Sequence, residues 1–526
     1  MKRRLPLLLT LLACIPLWLA RSSVPSMLAD SDTAVLLDAI RKRGSPLSWF
    51  GGDWPLGNHF YRPVSTLFFE LDNRLYGDQA WGYGLTQVLL STACVLALYW
   101  FVRELVNPWF ACLAASLFAL WHVDWGDALG FGMPYLACVV FVAAVVRRLA
   151  MPVWKGGLET EAKGSWRNLR WEVVLGPLAL TFLGTELLGH PLRWRIVEWL
   201  PGRTASVMTL FALVSLAAYA RYERLRSPSW RGHPAHGGEE DGEERRQVAS
   251  GTGLPSPAPG SLDGPQPWWR RRGARGEVAG MAGNQGGGRQ DASGTTAGSP
   301  YDLPATKSTE TYRVPPKSVW RWAILACLSL ALALGSYEQA VMLPAALLGV
   351  AVMFRMLGKQ PQWGWQAAFW GLLLGYLVLR RILVPSEVSG YQAQQFRDGP
   401  GVWLSLSDYI VPAWRPIQSI LVNLDMGIGL LFLPGFYAAL IAIAANASAL
   451  PVLRGSRVGV VALGGFLISI CAFLPMAWLK PFDHYHYWPM AMRSVFVVAL
   501  GMAAASWCLR ALSPPGLQSP VRESDG

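Results

Sequence analysis

Charge is scarce in this chain. Only 15% of its 526 residues are Asp, Glu, Lys or Arg, where a soluble globular protein carries about 25%, which excludes an ordinary water-soluble domain. Cysteines are few and unpaired. All seven (Cys14, Cys94, Cys112, Cys138, Cys327, Cys471, Cys508) fall within apolar stretches and none forms a CxxC pair. A disulfide framework and a thiolate metal site are therefore excluded, and packing is what remains for them. There is no GxxxxGK[ST] loop, no HExxH and no GxSxG, which removes the P-loop nucleotidases, the zinc peptidases and the nucleophile-elbow hydrolases. Charged residues are almost absent from the interiors of the apolar stretches, and this argues against a proton-coupled pump, which needs a chain of buried acids.

What the chain does have is hydrophobic length. Apolar residues make up 52% of it and cluster in runs of about 17–22 residues, long enough to cross a hydrocarbon core of about 30 Å at 1.5 Å per residue. The pattern predicts an all-α, polytopic integral membrane protein of about twelve spans, near 5–20, 84–102, 108–123, 129–146, 172–189, 204–220, 319–335, 340–357, 364–380, 426–446, 458–478 and 491–510. The 26 tryptophans suit helices anchored at headgroup level. Lys2-Arg3-Arg4 before Leu5 to Ala20 resembles a signal peptide, but the apolar run continues past Cys14, so an uncleaved first span with a cytoplasmic N-terminus is expected. Alternating the spans from there places Arg103, Arg147, Arg148, Lys155, Arg221, Arg224, Arg226, Arg355, Lys359, Arg454, Arg457 and Arg510 inside, as the positive-inside rule requires, and leaves the C-terminus cytoplasmic. The formal charge of +12 thus orients helices and meets anionic lipid; it does not point to nucleic acid. Short loops and the lack of sorting signals suggest a bacterial inner membrane.

The domain plan follows. Residues 1–224 form an N-terminal membrane half whose first external loop covers 21–83. Residues 225–317, rich in Gly, Pro, Ser, Arg and Glu without apolar periodicity, are expected to be a disordered cytoplasmic insert. Residues 318–511 form a C-terminal half with an external loop at 381–425, and 512–526 are a tail. Val402 to Leu421 is amphipathic and carries Pro412 and Pro416, which suits an interfacial helix pair rather than a thirteenth span.

The first external loop concentrates the chemistry. Asp30 and Asp32 follow the first span closely. A carboxylate there can act as a general base on an acceptor hydroxyl, or hold a divalent cation that binds phosphate; alternatively Asp30 or Ser31 caps a helix from Thr33 to Arg43. Arg62, in Phe60-Tyr61-Arg62-Pro63-Val64, can grip a phosphate bidentately or pair with an acid and fix the loop. Glu338 lies between two apolar spans, where an acid is costly; it serves either a cavity or an ion pair with a residue such as Arg203 or Arg380. His484 and His486 flank Tyr485. They suit hydrogen bonding to phosphate or sugar, a metal on an extended segment, or plain interfacial packing. Arg380 and Arg381 close the ninth span as phosphate contacts or interface anchors.

Taken in order, these segments resemble the GT-C type membrane glycosyltransferases, in the branch of the protein O-mannosyltransferases and the TPR-linked membrane mannosyltransferases. The resemblance rests on Asp30 and Asp32, Tyr61-Arg62-Pro63-Val64, Leu71-Asp72-Asn73-Arg74-Leu75-Tyr76-Gly77, Trp81-Gly82-Tyr83-Gly84-Leu85, Trp199-Leu200-Pro201-Gly202-Arg203, Ser336-Tyr337-Glu338 with Pro344, and His484-Tyr485-His486-Tyr487-Trp488-Pro489. The chain departs from that pattern at Tyr337 (usually Lys), at Gln87 (in a His-x-x-Asn step) and at His484 (usually Arg), and no TPR repeats follow the last span. The resemblance implies an inverting transferase of the cell envelope. It would move a sugar from a polyprenyl-phosphate donor to a hydroxyl on a glycan, lipid or protein acceptor outside. It implies Asp32 as base with Asp30 second, Arg62, Arg203, Arg380 and Arg381 on the donor phosphate, and Tyr61, Glu338, His484 and Tyr485 lining the cavity, with no assigned cofactor. The competing expectations are a lipid-linked oligosaccharide flippase and an inactive scaffold of the same build.

Overall fold

The computed structural model describes residues 4–19, 28, 31–121, 136–146, 172–188, 199–226, 317–385, 387–410, 457–480 and 482–512. All of these belong to one compact unit formed by Met1–Trp230 together with Pro315–Gly526. The expected span 426–446, nearly all of the expected insert 225–317, and Asp30 lie outside the described residues.

The described chain is helical. Its helices are α1 (Leu5–Ala13), α2 (Ile15–Leu19), α3 (Ser31–Arg43), α4 (Pro63–Tyr76), α5 (Ala80–Leu105), α6 (Pro108–Leu120), α7 (Leu136–Val146), α8 (Glu172–Leu188), α9 (Arg203–Arg226), α10 (Lys317–Leu334), α11 (Leu343–Met356), α12 (Gly364–Leu383), α13 (Gly390–Gln395), α14 (Gly399–Ile410), α15 (Arg457–Phe473) and α16 (Tyr487–Leu512). Among the described residues six helical stretches are long and apolar enough to cross a membrane: Ala80–Leu105, Leu200–Arg226, Glu338–Met356, Gly364–Leu383, Arg457–Trp478 and Asp483–Leu509. Five further apolar helices are shorter. Each expected span other than 426–446 overlaps one of these eleven.

Local chemistry sets the ends. Asn107 caps α6 by accepting from the Phe110 N–H, with Pro108 in the first turn where its missing donor costs nothing. α4 likewise begins on Pro63 and ends at Gly77, whose φ of +55° favours glycine and whose N–H donates to the Asn73 carbonyl.

α9 is the most enclosed of the six long stretches. It packs against α5 on one side and α10 on the other. α16 packs against α15, α8 and α6, and α11 against α15. Small residues on α9 and α10, among them Ala212, Ala217, Ala220, Ala323 and Ala326, are fully buried at that seam, and they let helix backbones approach closely where apolar burial gives no drive. α12 exposes Trp370, Leu374, Leu377, Val378 and Ile382, the surface a lipid-facing helix presents. α14 buries Val402 and Tyr409 and exposes Trp403 and Leu404, matching the amphipathic helix expected from 402 onward; residues 411–421 lie outside the described residues.

Some neighbouring long helices run parallel, as α5 and α9 do, with Arg203 meeting Gln87 near their starts and Arg221 meeting Glu104 near their finishes, and others run in opposite directions, so the bundle has two ends. One gathers the starts of α5, α9, α11 and α16 with the finishes of α10, α12 and α15. The other gathers their opposite termini and, with them, Arg103, Arg221, Arg224, Arg226, Arg355, Lys359 and Arg457.

Candidate functional site

The site is built where α4 docks on the end of α10. The first N–H groups of a helix have no partner inside it. The Val64 N–H finds the Gly335 carbonyl at 2.9 Å, and the Ser65 hydroxyl donates to the Ser336 carbonyl at 2.8 Å. Gly335 is required there, since a Cβ would stand 2.8 Å from Val64 Cγ2. This docking brings Arg62 to Glu338 across 276 residues of sequence. Arg62 Nε and Nη2 both donate to Glu338 Oε2, at 2.8 and 2.6 Å. Around the guanidinium stand the rings of Phe60 at 4.2 Å, Tyr337 at 4.5 Å and Trp54 at 5.4 Å, a cation–π enclosure. Burial works against the Arg62 charge, and Glu338 more than restores it, so the guanidinium is held above its ordinary range. Burial also pushes the Tyr337 phenol well above its ordinary range, which keeps it a neutral hydroxyl.

Several segments converge on this pair. Tyr61 is buried; its hydroxyl donates to the Phe50 carbonyl at 3.1 Å and its ring lies 6.1 Å from that of Tyr376. Glu338, Arg380 and Arg62 all act electrostatically on the Tyr376 hydroxyl. That hydroxyl and Arg380 Nε have no hydrogen-bond partner among the described residues. Arg381, one position on, is exposed. Tyr337 reaches His484 at 6.2 Å and Tyr485 at 6.4 Å. His484 is buried and also meets Trp199 at 5.2 Å. Gln339 Nε2 donates to the Ala472 and Tyr485 carbonyls, fixing that wall. His486 turns to another set of rings, Phe473 at 4.9 Å and Tyr409 at 5.7 Å, so the two histidines do not share one set of neighbours. Among the described residues no group of three or more His, Cys, Asp or Glu is disposed to hold a metal ion.

Arg203 has a different place from the one expected. Its side chain is fully buried. Nη1 donates to Asp72 at 2.6 Å, Nε to Gln87 at 2.7 Å and Nη2 to the Tyr83 carbonyl at 3.0 Å. With its donors spent inward, Arg203 braces α4 and α5 against the start of α9 and offers a phosphate no surface. Gln87 is one of its acceptors. Asp72, whose carboxyl burial pushes above its ordinary range against the pull of Arg203 and Thr86, is the other charged half of this brace.

Asp32 is exposed in the first turn of α3. It lies one turn before Leu36, on the same face, and Leu36 is buried in a cluster with Trp54, Phe69 and Leu200. The α3 helix therefore rests on the turn beside Trp199, which in turn touches His484.

Three participants were missed in the sequence. Trp54 borders Arg62. His59 takes φ +58°, uncommon outside glycine, its ring nitrogen meeting the Glu387 carbonyl at 2.9 Å. Tyr391 acts electrostatically on Tyr337 and Tyr485. The Gly57-Asn58-His59 turn was the available signal for this docking of the first loop on residues 387–392.

No family model, no curated protein and no solved structure matches this chain.

Proposed function

We propose that this protein is a GT-C-like integral membrane glycosyltransferase of about twelve spans, taking a sugar from a polyprenyl-phosphate donor to a hydroxyl acceptor. The observation that carries the reading is the pair of donors without protein acceptors among the described residues (Arg380 Nε and the Tyr376 hydroxyl) gathered beside the Arg62–Glu338 pair at one end of the bundle. Buried or half-buried donors left open are costly; an anionic phosphate at the membrane surface would satisfy them. The end they occupy is the one we assign to the outside of a bacterial inner membrane, with both termini cytoplasmic, because the other end holds the orienting arginines.

In this reading Asp32, with Asp30 as the second choice, takes the proton of the acceptor hydroxyl. The acceptor oxygen attacks the anomeric carbon from the face opposite the phosphate. The sugar–phosphate C–O bond breaks, and the charge that develops on the leaving phosphate falls to Arg62, Arg380 and Arg381. Glu338 holds Arg62 in place, Tyr61, His484 and Tyr485 line the cavity, and Arg203 acts as a brace.

The test is mass spectrometry of the lipids that copurify with the detergent-solubilised protein. A polyprenyl-phosphate sugar retained by the wild type and by Asp32→Asn but lost from Arg62→Ala is expected. Bulk phospholipid alone in all three overturns the reading, as does unchanged transfer by Asp32→Asn.

A further inference from the structure

The other end of the bundle carries a second feature, independent of the site above. A groove of about 560 Å³ runs along α10, lined by Arg321, Trp322, Ile324, Leu325 and Leu328. Its floor is apolar, and Ile324 and Leu328 are well exposed, so in a bilayer it faces acyl chains. Its mouth is basic. Arg321 lies 5.2 Å from the Trp322 ring and Arg221 lies 5.8 Å from it. Arg221 and Arg224 share one acid, Glu104, each at 3.0 Å, so the cluster around Trp322 holds two more positive charges than negative ones. The Trp322 indole N–H has no acceptor among the described residues, and Trp320 is exposed two residues earlier, where a headgroup-level anchor belongs.

A basic mouth over an apolar channel fits a molecule with an anionic head and a hydrocarbon tail. We propose that this groove binds an anionic phospholipid from the leaflet opposite the candidate site, its phosphate beside Arg321 and one acyl chain along Ile324, Leu325 and Leu328. A zwitterionic lipid offers the tail without the net charge, so the site discriminates between the two by headgroup. Because α10 runs directly into Gly335 and Ser336, on which α4 docks, a lipid held at its start braces the helix that leads to the Arg62–Glu338 pair.

The test is native mass spectrometry of the full chain in detergent, titrated with phosphatidylglycerol or phosphatidylcholine of matched acyl chains. The wild type is expected to retain one phosphatidylglycerol in preference to phosphatidylcholine. Arg321→Gln should weaken phosphatidylglycerol about fivefold, the worth of one basic residue at a lipid surface, and leave phosphatidylcholine unchanged. Leu328→Trp, which fills the groove from an exposed position, should weaken both lipids. Arg103→Gln is the control for diffuse surface charge, since Arg103 lies beside Tyr99 and does not line the groove. Equal retention of the two lipids by the wild type overturns the proposal. So does an Arg321→Gln effect no larger than that of Arg103→Gln, or phosphatidylglycerol binding unmoved by Leu328→Trp.

Discussion

The two ends of the bundle both bury acids beside arginines, yet they treat the charges differently. At the basic end Glu104 is buried and divided between Arg221 and Arg224, whose side chains remain 31% and 30% exposed. Glu223 there accepts from the Gln362 N–H as well as meeting Arg226. The acids are saturated and the surplus charge is basic and wet. At the site end Arg203 is spent wholly inside, while beside the Arg62–Glu338 pair Arg380 Nε and the Tyr376 hydroxyl have no acceptor among the described residues. An ion pair therefore does not mark a site. Leftover donors alone do not mark one either, since Arg226 Nε and the Trp322 indole N–H at the basic end also lack acceptors among the described residues; the site end differs in gathering Arg380 Nε and the Tyr376 hydroxyl beside the ring-enclosed Arg62–Glu338 pair.

The largest expected effect separates the two kinds of pair. Asp72→Ala leaves the Arg203 charge buried without its carboxylate, which costs about 3–5 kcal/mol. Glu104→Ala frees arginines that can turn to water, so its cost should stay near about 1 kcal/mol. Thermal unfolding in detergent reads both. Equal losses would mean that the two ends do not differ in the way drawn above.

Next comes the docking of α4. Gly335→Ala puts a methyl against the branched Val64, so α4 must shift and Arg62 must leave Glu338. We expect loss of bound donor lipid of at least about tenfold, from about 1.4 kcal/mol or more of lost contact, with the fold retained. Glu338→Gln keeps the shape and removes the charge. It should weaken Arg62 positioning less than Gly335→Ala does. A Gly335→Ala protein that retains donor lipid like the wild type would show that the docking does not position Arg62.

How much of this was legible beforehand depends on what kind of information each feature needs. Apolar length is local, and so the all-helical class and the positions of the described apolar helices could be read directly. The helix start at Pro108 could be read for the same reason. The amphipathic helix near Val402 was visible in the sequence pattern. Pairing is not local. Arg62 was expected either to bind phosphate or to fix the loop by meeting an acid, and only the fold selects Glu338, 276 residues away. Arg203 was placed on phosphate by the resemblance of Trp199-Leu200-Pro201-Gly202-Arg203 to an outer turn. Its partner Asp72 was read as part of a short helix motif, 131 residues earlier, and no pattern in either segment announces the other. Gln87 looked like a lapse from a family step, yet it is an acceptor that Arg203 uses. His59 was overlooked because a positive φ outside glycine leaves only a faint trace in composition.

A smaller effect tests the free donors themselves. Tyr376→Phe removes a hydroxyl that has no protein partner, so stability should be unchanged or slightly higher. If that hydroxyl serves a bound phosphate, donor-lipid retention should fall by about fivefold to tenfold, the worth of one charge-assisted hydrogen bond of about 1–1.4 kcal/mol. A Tyr376→Phe protein that gains stability and keeps its lipid would make the open donors at the site end a packing accident, and would erase the contrast with the other end.

The smallest expected effect is in the pH dependence of the Asp72 brace. Burial pushes the Asp72 carboxyl above its ordinary value of 3.8, with Arg203 and Thr86 pulling the other way. The folded state then holds this proton more tightly than the unfolded chain does. Its contribution to stability is complete below the unfolded value and is lost as the pH rises through the raised folded value. Unfolding temperatures taken from about pH 3.5 to about pH 7 should therefore carry a falling component in the wild type that Asp72→Asn lacks, whatever the absolute cost of that substitution. An identical slope in both proteins would mean that Arg203 fully offsets the burial of Asp72, making the brace a charge-neutral unit at every pH and leaving its strength to geometry alone.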